Sequence, residues 1–166
     1  MMSASGVAES SLVTAVAGNG VDTGIQISAL PGQWFQAPAT APTGRFDSDL
    51  PAHRALPAIG DSAVVEGLGL GAMSIHLSPI QETNLGDFLP ADYRTRAERL
   101  MCGVHPSFGD LDCKLCLPAR AVLDNHQGPI SGLGFLVTTG ATAWSGGCIY
   151  AMPTIVLVNV LQALYT

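Results

Sequence analysis

Charge is the scarcest thing in this sequence. Of 166 residues only 12% are Asp, Glu, Lys or Arg, and seven of these are basic against thirteen acidic, for a net charge of −6. Binding nucleic acid takes a basic face, and no cluster here supplies one. Arg94, Arg96 and Arg99 share their short segment with Asp92 and Glu98, which reads as a solvated helix. A secretory signal is missing too: Met1 to Ser11 has neither a basic start nor an apolar stretch, so the cytoplasm is the expected compartment. From Asn125 to Thr166 the only ionisable side chain short of tyrosine and cysteine is His126. The window Phe135 to Tyr165 is long enough to cross a bilayer. It is interrupted by Thr138, Thr139, Thr142, Ser145, Pro153 and Asn159 and has no Lys or Arg flank, which favours a buried core or a subunit interface over a membrane span.

What is present is apolar and full of turns. Hydrophobic residues make up 48%, with 19 glycines and 11 prolines, a composition for a globular chain rather than a helical bundle or a disordered one. The length suits one domain with a real core. Residues 1–10 read as a disordered leader and residues 11–166 as a single domain, with no repeats and no internal break.

Along the chain, Leu12–Ala17 and the alternating run Val21–Ser28 flank Asn19–Gly20, a strong hairpin signal. Pro31–Gly32 makes a second turn and Gln33–Ala37 a third strand, so a short antiparallel meander is expected. Pro38 to Pro57 reads as a connector over the surface. Ser74 to Leu89 shows no clear period. A helix opens at Pro90–Asp92, turns Tyr93, Ala97, Leu100 and Met101 inward, and stops at Gly103. A second short helix covers Pro118 to Asn125. Phe135–Thr139 is the best strand of the last third, and Pro153 opens a terminal buried helix. The fold class is α+β, with the meander followed by a glycine-rich centre and several short helices.

That centre is Ile59 to Met73, where Gly60, Asp61 and Ser62 are followed by Glu66 and by glycines at 67, 69 and 71. Each glycine costs a helix roughly 1 kcal/mol against alanine, but glycine lets a backbone approach a ligand or another backbone. Two readings stay level on these residues alone. Asp61 or Ser62 can cap a short helix, or the helix start and its carboxylates can form a ligand site. The Gly-Leu-Gly-Leu-Gly run does not fit a dinucleotide fingerprint, and no cofactor is expected. Ser62 has no nucleophile elbow around it, and His53, His76, His105 and His126 are scattered. Cys102, His105, Cys113 and Cys116 combine a CxxH with a CxxC, a donor set that zinc can use. Buried structural thiols are the commoner outcome of such a pattern.

The hairpin Val16–Ser28, then Trp34-Phe35-Gln36-Ala37-Pro38, then Ile59–Glu66 with Gly69-Leu70-Gly71 resemble the YlbE/AllG-like family, whose members are often encoded beside FdrA-like proteins. The family's proteins are longer, and this chain looks like their C-terminal portion. The resemblance implies a subunit of an oxamate carbamoyltransferase of allantoin catabolism. Such an enzyme moves a carbamoyl group between oxalurate or oxamate and phosphate. It also implies FdrA-like and companion subunits in a hetero-oligomer. On that reading Asp61 and Glu66 are the catalytic candidates, and Gly60, Ser62, Gly69, Gly71 and Arg45 the substrate-binding ones. Two rivals are a non-catalytic assembly subunit or fragment packing on partner chains, and a small zinc- or thiol-dependent module.

Overall fold

The Asn19–Gly20 turn behaves as its residues predict. In the computed structural model, which describes residues 4–46, 54–60, 63–104, 106–139 and 146–164, β1 (Val13–Asn19) and β2 (Asp22–Ile27) run antiparallel across it. Asn19 Oδ1 accepts the backbone N–H groups of Val21 and Asp22 at 2.9 and 2.7 Å. A side chain that closes the turn in place of backbone is why asparagine is favoured there. β3 (Phe35–Pro38) pairs with β2, completing the expected meander. β5 (Ile59–Gly60) adds to the far side of β1, for the order β3-β2-β1-β5.

A second antiparallel sheet has the order β4-β7-β6, built from β4 (Thr43–Gly44), β6 (Ile130–Gly134) and β7 (Gly147–Ala151). Here the expectation is corrected, because the strand is Ile130–Gly134 and not Phe135–Thr139. Glycines 132 and 134 lower the strand propensity of the true strand, and the β-branched run beyond it leaves the sheet. Phe135 stacks on Phe46 with ring centroids 3.9 Å apart. Val137 makes an isolated bridge to Ala55, and Leu56 N–H donates to Leu136 O at 2.8 Å.

Short helices fill the rest, so the class is α+β as expected. α1 (Ala63–Leu68) is followed by a 3₁₀ segment at Gly71–Leu77, α2 (Pro79–Leu85) and a 3₁₀ turn at Gly86–Phe88. Three brief pieces in succession explain why residues 74–89 carry no single period. α3 (Tyr93–Leu100) buries Ala97 and Leu100 with Arg96. It ends before the expected Gly103: Met101 is already extended, and Gly103 is committed to a bridge with Leu115. The Arg96 guanidinium donates to both Asp92 oxygens at 2.7 and 3.2 Å and to Gly128 O at 3.1 Å, which ties α3 to the turn ahead of β6. Arg99 also bonds to Asp92. The Arg96 bond is the main reason the Asp92 carboxyl lies below its usual range.

α4 (Ala119–Asp124) buries Val122, and α5 (Ile155–Leu164) buries Val156, Leu157 and Val160. α5 packs on β2, β3 and α4, while Ile155 at its start is 51% exposed, so burial follows one face. Among the described residues no helix is long and apolar enough to cross a membrane. Of the expected leader, residues 4–10 are tied to the end of β2. Gly6 N–H donates to Ser28 O at 2.7 Å, Ala29 N–H donates to Ser10 O at 3.1 Å, and the Ser28 hydroxyl donates to Ala4 O. α1 lies against β1 of the first sheet and β6 of the second, so the glycine-rich centre sits where the two sheets meet.

Candidate functional site

Glu66 is the fourth residue of α1 and is buried, at 6% exposure. Its carboxylate spans two elements: Oε2 accepts Ala72 N–H at 2.7 Å, and Oε1 accepts Gly132 N–H of β6 at 2.8 Å. Burial pushes the carboxyl up from 4.5 to about 7, against the opposite pull of the Gly132 and Ala72 N–H donors. Loss of hydration outweighs two hydrogen bonds here, which is the desolvation route to a raised carboxyl pKa.

Gly71 makes room for this carboxylate. Its φ is +70°, and a Cβ placed on it would fall 2.2 Å from Glu66 Oε1. Gly132 is similarly close, with a Cβ position 3.2 Å from the same oxygen. Both glycines leave room for the acid.

In front of Glu66 lies a pocket of about 360 Å³, within the roughly 300–1,000 Å³ common for small-molecule sites. Its wall combines Gly71, Ala72, Ile75 and Leu85 with Gly132, Leu133, Gly134 and Gly147 of the second sheet, and Ser78 and Gln81 supply neutral polar groups. A partly apolar pocket holding one carboxyl that titrates near neutrality has the means to pass a proton to or from a bound group.

The expected site residues do not all meet here. Glu66 and Gly71 line the pocket. Gly69 faces elsewhere: at φ +112° its Cβ would lie 2.4 Å from Lys114 O, so this glycine lets α1 close on the 102–116 loop. Gly60 borders a cavity of about 10 Å³ between the sheets, beside Thr23, Ser131 and Tyr150. Arg45 donates its backbone N–H to Gly147 O at 3.1 Å, on the pocket wall, while its exposed side chain lies 3.9 Å from Asp87. Asp61 and Ser62 lie outside the described residues, and so does the helix-cap reading that rests on them.

Sequence reading missed Gly132, Gly134 and Gly147, along with the Ala72 N–H group. Their contribution is backbone and space, which no side-chain pattern announces. A signal was present in the glycines that follow Pro129, in a stretch where Phe135–Thr139 was read as the strand.

The cysteines differ in burial. Cys113 is buried with its sulfur 3.4 Å from Ser74 Oγ, whereas Cys102 is exposed. Cys102 N–H donates to Cys116 O at 3.0 Å, and burial together with the neighbouring Cys116 pushes the Cys102 thiol up. Burial pushes Cys148 up to about 12. Among the described residues no group of three or more His, Cys, Asp or Glu side chains is placed to hold a metal, and His105 lies outside them.

Comparison with known proteins adds sequence relatives to this geometry. A stretch of 110 residues is 34% identical to the uncharacterized protein YahG of Escherichia coli (strain K12), covering 64% of this chain and 23% of that protein. Over 69 residues it is 39% identical to the oxamate carbamoyltransferase subunit AllG of the same organism, covering 42% of this chain and 16% of AllG. The chain thus spans less than a quarter of the length of the curated relatives it matches. A crystal structure of a conserved protein of unknown function from Enterococcus faecalis V583 shares the fold. The TM-score is 0.80 at 21% identity, over 97% of this chain and 40% of that one. The family model for the oxamate carbamoyltransferase subunit AllG matches residues 1–62, which takes in Gly60, Asp61 and Ser62 and stops short of Glu66. The resemblance to the AllG family that the hairpin and the Gly60-Asp61-Ser62 stretch carry therefore stands, on both the family model and the AllG relative.

Proposed function

We propose that this chain works as a subunit of an oxamate carbamoyltransferase-type assembly, in which the Glu66 pocket holds the ureido group that gives up the carbamoyl group, or the amide group that receives it. The observation that carries the reading is Glu66 itself, a buried carboxyl pushed up to about 7 on the wall of a ligand-sized pocket. Carbamoyl transfer to or from an amide nitrogen needs a proton moved at that nitrogen. The leaving amide takes one up in one direction and the attacking amide gives one up in the other. A carboxyl that titrates near neutrality serves both directions. Asp61 and Ser62 precede α1 in the stretch that matches the AllG family model, and they are the further candidates for orienting the substrate. FdrA-like and companion chains in the cytoplasm complete the site.

The test is reconstitution with FdrA-like and companion subunits, followed by an assay of phosphate-dependent oxalurate cleavage. Glu66→Gln should lower the rate by about two to four orders of magnitude, the contribution typical of a positioned acid–base group. Unchanged activity in both Asp61→Asn and Glu66→Gln would remove these residues from the mechanism.

A further inference from the structure

In sequence Cys116 forms a CxxC with Cys113, but in the fold its neighbour is Cys102. Cys113 is taken up elsewhere: it is buried, with its sulfur 3.4 Å from Ser74 Oγ. Cys102 and Cys116 stand across from each other at the base of one loop. Gly103 and Leu115 exchange both backbone hydrogen bonds, at 2.9 and 2.8 Å, in an antiparallel bridge. One residue further out, Cys102 N–H donates to Cys116 O at 3.0 Å. Facing residues bonded through their backbones stand about 5.5 Å apart at Cα. A disulfide spans roughly 4.4–6.8 Å between Cα atoms, so the backbone placement suits one.

Both stems are fixed. Cys116 N–H donates to Leu68 O at 2.7 Å, at the end of α1, and Cys116 holds a left-handed backbone at φ +69°. Cys102 follows the extended Met101 that closes α3. Such preorganisation lowers the entropy cost of bringing two thiols together. Cys102 is exposed and Cys116 half-buried, whereas Cys113 and Cys148 are buried, so only this pair combines proximity with access.

We infer that Cys102 and Cys116 form a modification site, a dithiol that a low-molecular-weight disulfide such as glutathione disulfide converts reversibly to an intrachain disulfide. The exposed Cys102 reacts first. Its thiol gives up a proton, and its sulfur attacks one sulfur of the oxidant. A glutathione thiolate leaves and takes a proton. The Cys116 sulfur, deprotonated in turn, attacks the Cys102 sulfur and expels the second glutathione, which takes the second proton. Two protein thiols are oxidised and one small disulfide is reduced to two thiols; excess thiol runs both steps backwards. Each thiolate also disfavours the other while the pair is reduced, and bond formation removes that repulsion.

The bond closes a loop that is already docked beside α1. His76 Nε2 lies 2.9 Å from Asp112 O, and Gly69 leaves room for Lys114 O. Oxidation therefore sets how firmly this loop is held. In a reducing compartment such a pair is open at rest and closes transiently under disulfide stress. Nothing in this site depends on what the Glu66 pocket binds.

The test equilibrates the folded full chain with glutathione buffers of increasing oxidised fraction at mildly alkaline pH. After an acid quench, N-ethylmaleimide in urea caps the remaining thiols, and mass spectrometry of unreduced peptides locates every bond. A Cys102–Cys116 link is expected, with an equilibrium constant about tenfold or more above that of the urea-unfolded chain, the gain in effective concentration from fixed stems. Reduced glutathione should open it. Cys116→Ser should instead accumulate glutathione on Cys102, an adduct that the unaltered chain resolves. The inference is overturned by a Cys113–Cys116 link, by a lasting glutathione adduct on Cys102 of the unaltered chain, by no link at all, or by linking no stronger in the folded chain than in the unfolded one. Should Cys116→Ser fail to fold, the comparison on the unaltered chain decides alone.

Discussion

Gly71 stands where any side chain would occupy the Glu66 carboxylate: a Cβ there falls 2.2 Å from Oε1 and 2.6 Å from Oε2. The acid and the glycine are one unit, five residues apart in sequence and in contact in space. Gly71→Ala must strain a left-handed backbone position and drive out the carboxylate that satisfies Ala72 and Gly132. The expected loss is about 3–5 kcal/mol, from the left-handed penalty plus buried N–H groups left unpaired. Urea unfolding compared with the unaltered chain measures it, and a loss under 1 kcal/mol would mean that the carboxylate is not held as described.

Glu66 also sets a pH dependence. Its folded pKa is raised from 4.5 to about 7, so the folded state holds the proton more tightly than the unfolded one. The associated stability is fully present below pH 4.5, declines as pH rises between 4.5 and 7, and is gone above that window. The raised pKa corresponds to about 3 kcal/mol. Stability of the unaltered chain minus that of Glu66→Gln, from denaturant melts at pH 4.5, 6 and 8, should fall along this series. A flat difference would place Glu66 in water.

Arg96 is the second buried polar anchor. Replacing it with leucine strips Asp92 of its main partner and leaves the Gly128 carbonyl without its donor. A loss of about 2–4 kcal/mol is expected, as for a broken buried hydrogen-bonded pair. Arg99→Ala, on a partly exposed side chain, should cost under about 1 kcal/mol. Equal effects in thermal melts would show that α3 is not pinned through Arg96.

The four thiols should label in order of exposure. Cys102 is exposed, Cys116 intermediate, and Cys113 and Cys148 buried, the last with its thiol pushed up to about 12. Timed iodoacetamide labelling read by peptide mass spectrometry should modify Cys102 first and leave Cys113 and Cys148 unmodified until urea unfolds the chain. Early labelling of Cys148 would contradict its place under Leu133.

The legible parts of this fold are those fixed by local chemistry. Asn19–Gly20 dictates its hairpin through a side chain that bonds its own neighbours, and Pro118 to Asn125 states a short helix in its residues. Glu66 was legible as a candidate because an acid among glycines is poorly explained by packing. Its partners were not. Gly132 lies 66 positions away and contributes an N–H group and a missing side chain, neither of which leaves a pattern. Gly69 and Gly71 look alike in sequence, yet one packs against Lys114 O and the other against Glu66. Tertiary contact alone separates them.

The bond between Glu66 and Gly132 has one more effect. Among the described residues β6 pairs with β7 on one side only and is an edge of its sheet. Exposed edges invite strand addition, and the N–H of Gly132 is one of the groups a foreign strand would seize. Glu66 already occupies it at 2.8 Å. The carboxylate therefore stands in for a strand partner on this margin of the sheet, which α1 and the 3₁₀ segment also cover. Variants that dislodge it uncover a site for self-association as well as altering a pocket.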